Sequence, residues 1–123
     1  MNHAVSLNAV GHENVRAEHS STFEVTTDDF LTPAGDCILG IEADAAPADF
    51  DAYFVEACQD EDAVITATLS VAGSSQAITG RGDPDLTFES DRSLVGRTST
   101  YIDDRTVMVE ADGAAKDLDR SIV

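Results

Sequence analysis

Apolar and polar residues alternate most regularly over 64–71, where Ile65, Ala67, Leu69 and Val71 take turns with Thr66, Thr68 and Ser70. A period of two places one set on each face of a strand. Gly73, Ser74 and Ser75 then supply turn chemistry, and Ala77 and Ile78 lead the chain back. Residues 62–81 therefore read as a β-hairpin. A similar alternation over 14–26 puts Val15, Ala17, Phe23 and Val25 on one face, with Asn14, Arg16, Glu18, Thr22, Glu24 and Thr26 on the other. The run from Leu31 to Gly35 reverses the chain, and Cys37, Leu39 and Ile41 give an apolar face over 36–42. Weaker strand signals fall at 3–9, 85–89, 95–101 and 104–110.

The period changes after Asp44 and Pro47, which mark a helix start. Phe50, Tyr53, Phe54 and Ala57 follow at helical spacing, with Cys58 on the same side and Asp60, Glu61 and Asp62 at the end. A second helix is expected from about Gly113.

The chain nearly repeats itself. Shifted by 68 positions, 36–55 falls on 104–123, so that Asp36, Glu42, Ala43, Asp44, Ala46, Asp49 and Asp51 meet Asp104, Glu110, Ala111, Asp112, Ala114, Asp117 and Asp119. Ile41, Phe50 and Phe54 meet Val109, Leu118 and Ile122, which keeps the apolar positions apolar. Upstream, Gly11-His12-Glu13-Asn14-Val15 resembles Gly82-Asp83-Pro84-Asp85-Leu86. The expectation is one α+β domain over 1–123. It would be a small pseudo-two-fold sheet or barrel of two strand–strand–helix units, about 11–58 and 82–123, joined by the 62–81 hairpin and flanked by two helices.

Charge then narrows where such a domain works. Twenty-four acids face seven bases, Asp outnumbers Glu sixteen to eight, and Lys116 is the only lysine. A formal charge of −17 makes the compact state repel itself in dilute buffer. At 1 M salt the Debye length falls to ~3 Å and most of that repulsion is screened. The acids run from Glu13 to Asp119 without clustering, which points to molar intracellular salt rather than to a nucleic-acid mimic. Six scattered arginines form no basic stripe, so nucleic acid is disfavoured as a partner. Residues 1–10 carry no basic n-region, and no run approaches ~20 apolar residues. A cytoplasmic protein with no membrane span is expected. Cys37 and Cys58 belong to no C-x-x-C pair, which argues against structural zinc.

Gly11-His12 with Asn14-Val15, then His19, Thr22, Glu24 and Thr26, then Leu31-Thr32-Pro33 and the run Gly35-Asp36-Cys37-Ile38, resemble the archaeal domain-of-unknown-function family three hundred and seventy-one. The second half agrees through Gly82, Pro84-Asp85-Leu86, Asp104-Arg105-Thr106, Ala111-Asp112 and Ala114-Ala115. The resemblance implies an archaeal cytoplasmic protein, here a haloarchaeal one, without an assigned activity. The family pattern places histidines where this chain has Arg81 and Asp83, and a proline in place of Glu13. A histidine metal site, were it the family's, would be incomplete here.

His12 and His19 carry the most versatile chemistry, because imidazole titrates near neutral pH and ligates metals. Seven residues apart on an unbroken strand they would point to opposite faces. That makes His19 a hydrogen-bonded core residue and leaves His12, in a loop beside Gly11, as the functional candidate. Asp36 and Asp104 are either paired carboxylates or turn residues that open strands. Cys37 reads as a small buried residue rather than a nucleophile. Asp83 and Asp85 sit in an acidic, glycine-flanked loop whose spacing matches no calcium motif. Phosphate-cradling loops and nucleophile elbows are absent from the sequence.

The function expected is a non-enzymatic module binding a protein or a small ligand, without cofactor or resident metal. Its contacts would come from His12, Asn14, Asp36, Asp83 and Asp85. The alternative is a small metal-assisted enzyme using His12 and the acids of the glycine-flanked loops.

Overall fold

A computed structural model describes residues 3–12, 15–31, 36–71 and 73–118. Six strands appear in the order β1 (Thr22–Thr26), β2 (Ile38–Gly40), β3 (Val64–Val71), β4 (Ser74–Arg81), β5 (Ser93–Arg97) and β6 (Thr106–Met108). One helix, α1 (Ala52–Cys58), and two 3-10 turns, Pro47–Asp49 and Ala115–Asp117, complete the described elements of this mixed α+β fold.

The strands form a four-stranded sheet in the order β2-β1-β5-β6 and a separate hairpin of β3 with β4. At the centre β1 and β5 run antiparallel, with Glu24 opposite Val95 and Phe23 opposite Gly96. Each central strand has a parallel outer neighbour: Glu24 pairs with Ile38 on one side and Val95 with Thr106 on the other. The sheet is open, because β2 and β6 are its two ends, so the barrel expectation gives way to a sheet. Isolated bridges extend it, Val10 lying against Ile41 beyond β2 and Arg81 against Val109 beyond β6.

Of the strand expected over 14–26, the described residues 15–26 keep only the last five. Ala17 takes φ 50, a left-handed conformation that ends extended pairing, and Phe88 at φ 52 does the same to the strand expected at 85–89. Neither residue is glycine or asparagine, so the sequence carries no sign of either break. The segment 3–9 forms no strand, and the chain pairs just after it, at Val10, as a single bridge to Ile41.

The helix expected from Asp44 begins later. Pro47 opens a 3-10 turn whose Asp49 carboxylate accepts from the Ala46 N–H at 3.0 Å. Phe50 is then extended, and Asp51 caps α1 by accepting from the Tyr53 N–H at 2.7 Å. The second flanking helix is, as far as the described residues go, a single 3-10 turn. Its Asp117 accepts from the Ala114 N–H at 2.8 Å, and residues 119–123 fall outside the description.

Two apolar clusters lie under the sheet. One gathers Ala17, Phe23, Met108 and Leu118 with Ile78 of the hairpin. The other gathers Cys58, Leu86, Phe88 and Val107, with Phe50, Phe54 and Leu94 against it. Phe50, Phe54 and Phe88 meet edge-on or tilted, with ring centroids 5.7 to 6.3 Å apart. The turns cross between the halves of the chain. The Ala48 N–H donates to the Ser90 carbonyl at 2.9 Å, and the Lys116 N–H donates to the His19 carbonyl at 3.0 Å.

Candidate functional site

On β1, Thr22, Glu24 and Thr26 alternate with Phe23 and Val25, so they stand on the face turned away from the Phe23 cluster. Across the pairing Arg97 meets Thr22 and Val95 meets Glu24. Among the described residues this face carries the buried charged side chain, Arg97, together with the partly buried Glu24, Cys37 and Asp103. Arg97 is only 9% exposed and donates from Nε to Thr106 Oγ1 at 2.9 Å. Its Nη2 lies 3.1 Å from Asp103 Oδ2, close enough for an ion pair but outside hydrogen-bonding geometry. The exposed ring of Tyr101 stacks on the same guanidinium, 4.8 Å from ring centroid to Cζ.

Asp103 ties this group together. Its Oδ2 accepts from Arg105 Nη2 at 3.0 Å, and its Oδ1 accepts from the Arg105 N–H and from Thr106 Oγ1. Partial burial pushes its carboxyl upward, yet the bonds and charges of Arg105 and Arg97 outweigh that and bring the pKa down to about 2. Arg105 also faces Glu24, Nη1 to Oε2 at 3.9 Å. Glu24 in turn accepts from the Cys37 thiol, Sγ to Oε1 at 3.4 Å. Burial, then the Glu24 charge beside it, pushes that thiol up to about 11. A thiolate there is disfavoured, so Cys37 is not an activated nucleophile.

The Asp103 ion pairs carry a pH signature. The folded pKa lies below the ordinary value of 3.8, so the contribution is present above that value and is lost as pH falls through about 2. At pH 6 and molar salt, Asp103→Asn is expected to cost about 2 kcal/mol by urea unfolding. The gap between wild type and variant should close progressively below pH 4. A gap that is constant from pH 6 to pH 2 would contradict this assignment.

The residues singled out from sequence are distributed differently. His19 Nδ1 accepts from the N–H groups of Ser21 and Thr22 at 3.2 and 3.1 Å and meets Thr22 Oγ1 at 3.0 Å. Two N–H donors on Nδ1 place the proton of the neutral ring on Nε2. His19 thus borders the polar face as a half-buried, hydrogen-bonded residue. Asp36 borders it as well: its carbonyl accepts from Glu18 and His19, and its charge reaches Cys37. Its counterpart Asp104 accepts from the Ser90 N–H.

Asp83 accepts from the Asp85 N–H at 2.9 Å and pairs with Arg81 at 3.2 Å, which together hold its carboxyl below the usual range. Asp83 and Asp85 therefore lie side by side in one turn. His12 accepts through its carbonyl from the Val15 N–H at 3.0 Å, and Asn14 is outside the described residues. The His12 loop follows the Val10 bridge beyond β2, and the Asp83 loop follows the Arg81 bridge beyond β6. Five interstrand steps of ~4.8 Å separate these anchors along the sheet.

Sequence reasoning missed Arg97, Tyr101, Asp103 and Arg105. The available signal was that few bases exist in this chain and that two of them flank 97–105. An open cleft of about 500 Å³ elsewhere is lined by His3, Phe54, Asp60, Asp62 and the start of β3. Among the described residues no three His, Cys, Asp or Glu side chains gather in a way that could hold a metal ion. No helix among them is long and apolar enough to cross a membrane.

An uncharacterised protein of the archaeon Methanocaldococcus jannaschii is 41% identical over 117 residues, covering 95% of this chain and 86% of its own. A family model described as a domain of unknown function, DUF371, matches residues 7–123. That match takes in both outer bridges, the open sheet and the whole ion-pair cluster, and the chain belongs to this DUF371 family.

Proposed function

We propose that this protein is a non-enzymatic binding module of a haloarchaeon's cytoplasm, adapted to molar salt. It is a single domain built from two related units, about 11–58 and 82–123, around a local two-fold axis between β1 and β5. Recurrent bonds support the two-unit reading. Glu42 takes φ 52 and Glu110 φ 50, and the pairs Ala46–Asp49 and Ala114–Asp117 make the same N-terminal bond. The bond from Glu24 N–H to the Cys37 carbonyl is matched by Val95 to Arg105, and Val10–Ile41 is matched by Arg81–Val109.

One observation carries the binding reading: the ionisable groups on the polar face are engaged with one another. Cys37 donates to Glu24, Asp103 holds Arg105, and Arg97 is sandwiched between Thr106 and Tyr101. A general base or nucleophile needs a group free to exchange its proton with substrate. What this face offers outward is the Tyr101 ring, 62% exposed, and the half-exposed Arg105 guanidinium. An aromatic plane beside a guanidinium suits a ligand or protein side chain that is flat and carries a carboxylate. His12, Asp83 and Asp85 form separate rims rather than one site in this reading, while Asp36 adjoins the main face. Nucleic acid and membrane are not partners in it.

The test is affinity capture at native salt, with tagged wild type, Tyr101→Ala, Arg105→Ala and His12→Ala compared side by side. A partner or retained small molecule lost at least tenfold with Tyr101→Ala and Arg105→Ala, and kept with His12→Ala, is expected. Loss with His12→Ala alone would move the site to the first glycine loop. Metal-dependent turnover abolished by His12→Ala would replace the binding module with the enzyme alternative.

A further inference from the structure

The distribution of charge has one long gap. Residues 63–80 contain no charged side chain, eighteen in a row in a chain where a quarter of residues are charged. That gap is the β3–β4 hairpin. β4 is covered, since Arg81 bridges to Val109 and the Thr79 carbonyl accepts from the Asp112 N–H at 2.8 Å. β3 has β4 as its only strand neighbour among the described residues. The Gly82 N–H donates to the Ala63 carbonyl, which fixes the hydrogen-bonding phase of the hairpin. Ile65, Ala67 and Leu69 therefore bond to β4, and Val64, Thr66, Thr68 and Ser70 aim their N–H and C=O groups outward. Among the described residues no backbone hydrogen bond reaches that outer edge.

Sheet proteins normally blunt such an edge with charges, prolines or bulges. Here an eight-residue strand has none of these, and its pairing with β4 is regular from Val64 to Val71. Val64 is 77% exposed and Val71 48%.

We propose that the outer edge of β3 seats a second copy of this chain, adding antiparallel across a two-fold axis at Ala67. Pairing β3 with its own copy sets Val64 opposite Ser70 and Thr66 opposite Thr68. All four outward residues then find partners, in four pairs of two bonds each. Charge selects this occupant. Two chains of −17 repel over most of their surfaces, and the hairpin is the longest stretch along which identical chains approach without bringing acids together. The product is a continuous four-stranded antiparallel sheet that joins two molecules and leaves the polar face of each open.

Sedimentation equilibrium at molar potassium chloride and micromolar protein tests this on the full chain. Wild type is expected at twice 13.0 kDa. Thr68→Pro, which removes an outward N–H and no β3–β4 bond, and Thr68→Lys, which puts a charge beside the axis on each copy, should both sediment as monomers. Thr68→Lys changes only an exposed side chain, and its circular dichroism and melting should match those of the wild-type monomer. Amide exchange gives an independent reading without any variant: Val64, Thr66, Thr68 and Ser70 should be protected in the dimer. A monomeric wild type, a dimer that survives both substitutions, or outward amides exchanging freely in an associated protein would each overturn the proposal. A monomer whose outward amides become protected only when an extended peptide is added would assign the edge to a different occupant.

Discussion

Lowering potassium chloride from about 2 M to about 50 mM is expected to unfold this protein cooperatively. The physical cause is a surface excess of acids that the few bases cannot offset. Arg81, Arg92, Arg97 and Arg105 are already committed to Asp83, Asp28 and Asp103, among others, so they do not screen the remaining carboxylates. At molar salt those carboxylates ignore one another beyond ~3 Å, whereas in dilute salt each feels its neighbours over more than ~10 Å. A small domain has roughly 5–15 kcal/mol of net stability, and repulsion among some two dozen acids is large enough to remove it. Circular dichroism melts at a series of salt concentrations measure this directly. Loss of the melting transition at the low end is expected, with recovery when salt is restored. A melting temperature unchanged across the series would remove the salt-adaptation account, and with it the haloarchaeal setting.

Gly82→Ala should be among the most damaging single substitutions in the chain, at about 3 kcal/mol or more. A methyl group at Gly82 would overlap the Cys58 carbonyl oxygen and lie 2.6 Å from that of Asp60, both backbone atoms at the end of α1. They cannot step aside, because the Asp83 N–H bonds to Cys58 and the Gly82 N–H to Ala63. Gly11, its counterpart 71 positions earlier, is exposed and meets nothing within 4 Å, so Gly11→Ala should change stability by no more than ~0.5 kcal/mol. Urea unfolding of both variants at molar salt makes the comparison. Equal costs would mean that the end of α1 yields to a methyl group and that the tight packing against Gly82 does not govern stability.

These two glycines illustrate what the sequence conveys and what it withholds. The match of Gly11 with Gly82 is visible as a spacing, but only tertiary packing reveals that α1 leans on one of them and not on the other. The β3–β4 hairpin was legible throughout, because its alternation is local and its turn is marked by Gly73, which takes φ 86. The strands expected at 14–26 and 85–89 are longer than the pairing allows, since the apolar alternation continues straight through Ala17 and Phe88, where the backbone turns left-handed. Phe50 reads as helical from sequence for a similar reason. Its spacing to Phe54 is helical, yet Asp51 rather than Pro47 caps α1.

The polar face was hidden more deeply. Glu24, Cys37, Arg97, Asp103 and Arg105 come from separate stretches that only the β2-β1-β5-β6 order brings together. Read along β1, Glu24 is an ordinary polar residue on the solvent side; its side chain is in fact only 14% exposed.

The crossed 3-10 turns bear on how such a chain folds. Phe50 lies against Phe88 and Leu118 joins the cluster of Phe23, so neither half of the chain contains a complete core. The Lys116–His19 bond spans 97 positions, and the central β1–β5 ladder spans 67 to 75, counted from Thr26–Ser93 to Thr22–Arg97. Closing loops of that length costs entropy before any burial offsets it. The meeting of the segments around 17–26 and 93–118 is therefore expected to limit the folding rate, with the local hairpin forming first. A chain emerging from the ribosome is therefore expected to complete its core only after the turn at Ala115–Asp117 has been synthesised.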